Sequence, residues 1–253
     1  MEKFISSKDN ETFKMLKSLD TTKGRIEYNH CIIEGEKIIF ENLEIVNQVF
    51  ICEGQQVTPN LSDFKPVILS RKLFDQVSCL ENSRGIIATA ELPQNLDELQ
   101  FPILVLDQIQ DPGNMGTLIR SAVAFGFKTI IAIFCPGIYS QKVIRSAMGM
   151  QFRVAVKIST NIPNFVDAIQ NGYLKDIPIV LADVKGERLD TISIPDDNKY
   201  ALVLGNEGNG ISPEIRALPN KKITIPMQSG VESLNVGVAG GILMYELNKR
   251  EDK

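Results

Sequence analysis

The chain reads as an α/β protein, with a small N-terminal α/β domain and a larger C-terminal domain built on a mostly parallel sheet. Three observations carry this. Continuous apolar runs such as ILVLD at Ile103–Asp107 and YALVL at Tyr200–Leu204 recur in the second half. Strands of that kind are buried on both faces, as parallel strands are. Segments with helical periodicity alternate with them, the order a covered parallel sheet requires. A polar, proline-bearing stretch at residues 91–101 (ELPQNLDELQF) lies between two apolar runs and reads as a linker. The predicted domains are therefore 1–95 and 96–253.

Before the linker, Glu11–Lys17 has helical spacing, His30–Ile33 reads as a strand and Glu34–Asn42 as a helix. Ile45–Cys52, Pro66–Leu69 and Gly85–Ala90 read as strands, with a helix at Arg71–Val77. After it, strands are predicted at Ile103–Asp107, Thr129–Phe134, Val154–Lys157, Ile177–Ala182, Tyr200–Leu204 and Lys222–Ile225. Helices are predicted at Asn114–Phe125, Ser140–Met148 with Ser140 as cap, Asn164–Ile169, Pro213–Ala217 and Glu232–Lys249.

With 253 residues the chain can bury a substantial core without disulfides or metals. Its charge of −4, from 27 Lys plus Arg against 31 Asp plus Glu, argues against nucleic-acid binding by bulk charge. The single histidine, His30, excludes a His-based metal site within one chain and disfavours a Ser-His-Asp arrangement. No metal is expected. Cys31, Cys52, Cys79 and Cys135 show no zinc spacing and read as reduced thiols, which fits a cytoplasmic protein. No secretory signal is evident at the N-terminus, and no apolar run approaches the ~20 residues of a membrane span.

Three segments stand out. The first, DQIQDPGNMGTLIRSAVAFG at Asp107–Gly126, runs from a strand through a turn into a helix. Capping by Asp111 and Asn114 explains most of it. Arg120, in the second turn of that helix, is poorly used as core and well placed to hold a phosphate near the carboxyl edge of the sheet, where open α/β sheets bind ligands. The second, YALVLGNEGNGIS at Tyr200–Ser212, runs a strand into G-x-x-G-x-G, which is neither the dinucleotide fingerprint nor a P-loop. Glycines there let backbone approach a ligand, and Glu207 disfavours a phosphate and favours a cation or a donor-rich ligand. The third is ITIPMQSGVESLNVGVAGGILMY at Ile223–Tyr245. Ser233 and Asn235 sit near a helix start, where capping is the plain reading. Gly240 and Gly241 cost that helix about 1 kcal/mol each, which points to close packing against another backbone.

Together these segments resemble the motifs of the SpoU family of RNA 2′-O-methyltransferases, within the SPOUT class. D-P-G-N-M-G-T-L-I-R, L-V-L-G-N-E-G-N-G-I-S and I-P-M-…-E-S-L-N-V appear in the family's order. The stretch Gly24–Ile39, less specifically, is similar to the ribosomal-protein-like RNA-binding domain of many members. The resemblance implies a deep trefoil knot, although knots are nearly absent from proteins. It implies a homodimer, S-adenosylmethionine as cofactor, and methyl transfer to a ribose 2′-hydroxyl of structured RNA, rRNA rather than tRNA. It carries catalytic roles onto Arg120, Asn114, Glu207, Ser233 and Asn235. It places the cofactor against Leu204, Gly205, Asn206, Gly208, Ile225, Met227 and Leu234. Arginine stays protonated in proteins, so Arg120 is expected to clamp the phosphate beside the target ribose rather than act as a free base.

No Asp or Glu occurs from Pro112 to Val166, whereas that stretch holds Arg120, Lys128, Lys142, Arg145, Arg153 and Lys157. Lys142 and Arg145 are therefore candidates for a basic RNA track. The competing reading is a non-catalytic RNA-binding or ribosome-assembly module that kept the fold. The presence of Asn114, Arg120, Glu207, Ser233 and Asn235 together weighs against it.

Overall fold

The computed structural model describes residues 3–56, 59–93, 99–172, 174–189 and 197–248. Contacts gather the chain into two units, Met1–Gln94 with Tyr139–Phe152, and Asn95–Ile138 with Arg153–Lys253.

The first unit begins with β1 (Lys3–Ile5), α1 (Glu11–Ser18), α2 (Thr22–Tyr28) and β2 (His30–Glu34). It continues with α3 (Glu36–Phe40), β3 (Val46–Cys52), β4 (Val67–Leu69), α4 (Arg71–Phe74) and β5 (Ile86–Glu91). Its sheet has the order β1-β4-β3-β5-β2, parallel at β1–β4 and β4–β3 and antiparallel at β3–β5 and β5–β2. The predicted helices at 34–42 and 71–77 shorten to α3 and α4. Glu34 remains in β2, and the chain turns at Gly35 with φ +106. Neither β1 nor α2 was anticipated. Three residues are too few to show a period, and α2 begins TKG, a weak helix former carried by the Thr21 cap on Gly24 N.

The second unit carries β6 (Ile103–Asp107), α5 (Pro112–Ala124) and β7 (Thr129–Ile133). After β7 the chain forms α6 (Gln141–Ala147), which packs with the first unit. Ile144 is buried there with Cys31, Ile33, Ile38 and Val49, so the expected division at residue 95 holds no single continuous second domain. Ser140 precedes α6 without making a side-chain cap bond, contrary to expectation. The second unit resumes with β8 (Ala155–Ser159), α7 (Ile162–Gln170), β9 (Ile179–Arg188), β10 (Ala201–Leu204), α8 (Pro213–Arg216), β11 (Lys221–Thr224) and α9 (Val236–Asn248). Residues 94–98 of the expected linker lie outside the described residues.

All six strands of the second sheet run parallel, in the order β11-β9-β10-β6-β7-β8. Ile103, Val105, Ile131, Ile133, Ala201 and Val203 form one buried face with Phe165 and Ala168 of α7 and Ile215 of α8. A methyl added at Gly240 of α9 would meet Leu118 of α5 at 2.3 Å and Leu204 of β10 at 2.7 Å, which places α5 and α9 together against the sheet. The continuous apolar strands thus have the two-sided cover that their composition demanded.

Two boundaries moved by more than three residues. β9 extends six residues past the predicted Ala182, through polar sequence whose strand character comes from pairing with β11 rather than from its own pattern. That ladder slips. Lys222 pairs with Leu181 and the next residue, Ile223, pairs with Glu187, so Ala182–Gly186 leave the register. Residues 232–235 are not helical, and α9 starts at Val236, because Asn235 caps it. Lys249, the predicted end of this helix, lies outside the described residues.

Candidate functional site

The site of interest lies in the second unit, at the carboxyl edge of β6 and β10. Strand β6 ends in Asp107, fully buried, whose Oδ2 accepts from Ser212 N at 2.6 Å. This joins the first motif to the far end of the glycine loop. The loop itself closes tightly. Asn206 and Gly210 exchange backbone hydrogen bonds of 3.0 and 2.9 Å, and Gly210 has φ +70. A Cβ at Gly205 would lie 2.4 Å from Gly210 C and Ile211 N, so only glycine fits there. Asn206 Oδ1 accepts from Gly208 N and Asn209 N, both at 2.9 Å, and its Nδ2 donates to Gln108 O at 2.8 Å.

The three motifs meet at Asn114. Asp111 caps α5, accepting from Asn114 N at 2.7 Å, so Asp111 fills the expected capping role and the Asn114 side chain does not. The Asn114 side chain instead donates to Glu207 Oε1 at 2.9 Å and accepts from Asn235 Nδ2 at 2.9 Å. Each orientation follows from the next. Asn235 Oδ1 accepts from Gly237 N and Val238 N at the start of α9, which turns its amide donor outward. Asn114 must then present its oxygen to Asn235, leaving its own amide N–H for the Glu207 carboxylate. A helix cap thereby sets the position of a carboxylate in another motif.

Beside this junction is an open cavity of about 300 Å³. All seven residues expected to hold a cofactor line it, namely Leu204, Gly205, Asn206, Gly208, Ile225, Met227 and Leu234. Glu207 and Ser233 line it as well. Ser233 is exposed and does not cap α9. Asn114 and Asn235 do not line it and reach it through the bond of Asn114 to Glu207. Arg120 is not among the lining residues. It is the ninth residue of α5, in the third turn rather than the second, and it is exposed, with no side-chain hydrogen bond or ion pair among the described residues. Lys142 and Arg145 are exposed on α6, in the first unit, so they do not share a unit with the cavity.

The residues that sequence reasoning missed are Asp107, Asp183 and Arg216. Asp183 and Arg216 form an ion pair on the cavity wall, and Arg216 Nε also donates to Ile211 O at 3.0 Å. Burial pushes the Asp183 carboxyl up, but the Lys185 N–H, the Arg216 guanidinium and Lys222 outweigh it, so its pKa lies below the ordinary value. Asp183 follows the part of β9 that pairs with β10, the strand that ends in the glycine loop. For Asp107 a signal existed, a carboxylate ending an otherwise apolar strand. The thiols are plain structural groups. Burial raises Cys31 and Cys79 to about 12 and Cys135 to about 11, and all four cysteines are free.

The donor set suits a nucleoside-bearing sulfonium. Leu204, Ile223, Ile225, Met227, Leu234 and Leu243 offer an apolar slot, and a Cβ at Gly208 would meet nothing nearer than 3.6 Å, so loop backbone stays accessible. The Glu207 carboxylate complements positive charge, whereas Asp183 is already paired with Arg216.

Residues 102–245 match the SpoU rRNA methylase family. The chain is 30% identical over 250 residues to the 23S rRNA (guanosine(2553)-2′-O)-methyltransferase RlmP of Bacillus subtilis, covering 97% of this chain and 99% of that one. Its structure is similar to that of a TrmH-family protein from Porphyromonas gingivalis, with a TM-score of 0.80, 31% identity and coverage of 94% and 97%. It also shares the fold of an AdoMet-bound rRNA methyltransferase from Sinorhizobium meliloti, with a TM-score of 0.81, 23% identity and coverage of 98% and 97%.

Proposed function

This chain belongs to the SpoU rRNA methylase family, and we propose that it transfers a methyl group from S-adenosylmethionine to a ribose 2′-hydroxyl of ribosomal RNA. The observation that carries the reading is the Asn235–Asn114–Glu207 chain, which joins all three motifs beside a cavity lined by the seven expected cofactor residues. A decayed binding module has no need to keep that chain intact.

The cofactor supplies an electrophilic methyl group on a positively charged sulfur. The protein has to hold it, align the hydroxyl and manage one proton. Leu204, Ile225, Met227 and Leu234 give the slot apolar walls, and Asn206 keeps the loop shaped by accepting from Gly208 N and Asn209 N and donating to Gln108 O. Glu207, oriented by Asn114, places negative charge on the wall. The guanidinium fork of Arg120 suits two oxygens of the phosphate next to the target ribose. Ser233 and Asn235 complete the polar rim. Lys142 and Arg145 add exposed positive charge for RNA on the first unit.

The reading includes a homodimer and the knotted chain path of the family. Val238, Ile242 and Tyr245 leave an apolar stripe at i, i+4, i+7 spacing on α9, respectively 52%, 37% and 45% exposed, which supports a second copy on that face. That Arg120 stands outside the cavity lining of its own chain supports the same arrangement. Four free cysteines fit a reducing cytoplasm.

The test is transfer of labelled methyl from S-adenosylmethionine to total RNA from cells lacking the protein, with rRNA and tRNA then separated. Label is expected in rRNA, and it is expected to fall at least 100-fold with Arg120→Ala and Arg120→Lys. Full activity of Arg120→Lys would remove the bidentate clamp from the mechanism, and label confined to tRNA would overturn the substrate.

A further inference from the structure

Phe134 is unused by the mechanism above, yet it stands on the same sheet edge. It follows β7 directly, it is 49% exposed, and its backbone is left-handed with φ +49. Gln108, at the matching position after β6, is left-handed too, with φ +59. A left-handed backbone is unusual for a bulky residue that lacks the local hydrogen bonds of Asn or Asp. Three bonds impose it here. Phe134 N donates to Ser159 O at 3.0 Å, Gln110 Nε2 donates to Phe134 O at 3.3 Å, and Gln108 N donates to Ile133 O at 2.9 Å. The same Gln110 amide reaches Gln108 O at 3.2 Å, the carbonyl that Asn206 of the glycine loop also holds. Phe134 has no aromatic partner among the described residues. The chain therefore maintains an unfavourable backbone at a half-exposed ring that stacks on no other aromatic side chain among the described residues. Strain of this kind points from an observed outlier to a functional contact.

Position identifies the contact. β10, β6 and β7 are successive strands, so Phe134 lies two inter-strand spacings, roughly 10 Å, from the glycine loop that lines the cavity. No acidic residue occurs between Pro112 and Val166, so the surrounding sequence does not repel a polyanion. An unpaired base of RNA has an apolar face for the ring and a phosphate that tolerates this charge balance. We propose that Phe134 is a stacking platform for an unpaired nucleobase of the RNA substrate, at or next to the methylated nucleotide. This rests on the RNA substrate proposed above. The bonds through Gln110, Gln108 and Asn206 tie the platform to the cofactor loop, so the base and the methyl donor are held on one frame.

The left-handed backbone supplies an unusually clean variant. Phe134→Gly removes the ring and suits φ +49, so the fold is expected to keep or gain melting temperature. The measurements are Tm, calorimetric affinity for S-adenosylmethionine, and kcat and KM for undermethylated rRNA, on the full-length wild type and on Phe134→Gly, Phe134→Leu and Phe134→Trp. The Gly and Leu variants are expected to raise KM for RNA about 10- to 100-fold with cofactor affinity unchanged, and Trp to return it to within a few-fold of wild type. Wild-type KM in the Gly variant, or equal rescue by Leu and Trp, would overturn the stacking role. So would unchanged KM with altered self-association, which assigns the ring to a protein contact. If wild type transfers no methyl to any RNA, the functional reading itself fails and this one with it. If wild type is active and the Gly variant keeps its KM, only the platform is wrong.

Discussion

Gly240 and Gly241 are adjacent in α9, yet alanine should affect them differently. A methyl at Gly240 would stand 2.3 Å from Leu118 Cδ2 and 2.7 Å from Leu204 Cδ1, against ordinary carbon contacts of about 3.5–4.0 Å. Both leucines are fully buried, at 0% and 1% exposure, so neither can yield without displacing further neighbours. At Gly241 the nearest atom is Ser121 Oγ at 3.7 Å, an ordinary contact. Replacing either glycine in a helix by alanine gains about 1 kcal/mol of propensity. That gain is common to both and cancels in the difference, which leaves the overpacking cost of about 1–3 kcal/mol at Gly240. Gly241→Ala should therefore be about 1 kcal/mol more stable than wild type, and Gly240→Ala about 1–3 kcal/mol less stable than Gly241→Ala. Because Leu204 also lines the cavity, Gly240→Ala alone should weaken S-adenosylmethionine binding. Urea unfolding at fixed protein concentration, with matched m-values, and titration calorimetry measure both quantities. Gly240→Ala at least as stable as Gly241→Ala, with unchanged cofactor affinity, would refute the claim that this glycine exists to seat α9 on α5 and β10.

Other consequences follow from the junction, the wall and the basic helix. Asn114→Asp replaces the donor to Glu207 by a second carboxylate oxygen, losing a charge-assisted bond worth about 1.5–3 kcal/mol and adding repulsion. It should lower kcat/KM at least 10-fold, whereas Glu207→Gln keeps an acceptor for Asn114 and should disturb the loop much less. Equal steady-state losses in the two would show that charge rather than orientation matters. Asp183 has a depressed pKa, so its stabilising effect is present above its unfolded value near 3.9 and is lost as pH falls through the lower folded value. The stability difference between wild type and Asp183→Asn should be constant above about pH 5 and shrink as pH falls through the lowered folded value, and a difference that does not change with pH as Asp183 is protonated contradicts the pairing with Arg216. Neutralising Lys142 and Arg145 together to Gln should flatten the slope of log affinity for rRNA against log salt by about 1.5, with cofactor binding unchanged. An unchanged slope removes α6 from the RNA surface.

Much of the fold could be read locally. Strand β6 appears with the predicted limits because ILVLD is apolar throughout and bounded by a turn, and α5 because Asp111 caps it ahead of Pro112. The three motifs were likewise legible as runs of residues, and the residues now found lining the cavity were picked out by their resemblance to the SpoU family rather than by any local signal. Close packing was expected at both Gly240 and Gly241 and is found at Gly240 alone. Tertiary structure alone decided the rest. Asn114 meets Glu207 across 93 residues and Asn235 across 121, and those meetings exist only because β10 pairs with β6 and α9 lies on α5. Asp183 reaches the cavity because β9 pairs with β10, a partnership that no periodicity encodes. Helix α6 keeps its predicted type while its apolar face joins the first unit, because an apolar stripe specifies that it will be buried and not against what. Arg120 shows the same division. Its residue type marked it for phosphate, but its distance from the cavity lining was settled by the turn of α5 on which it falls.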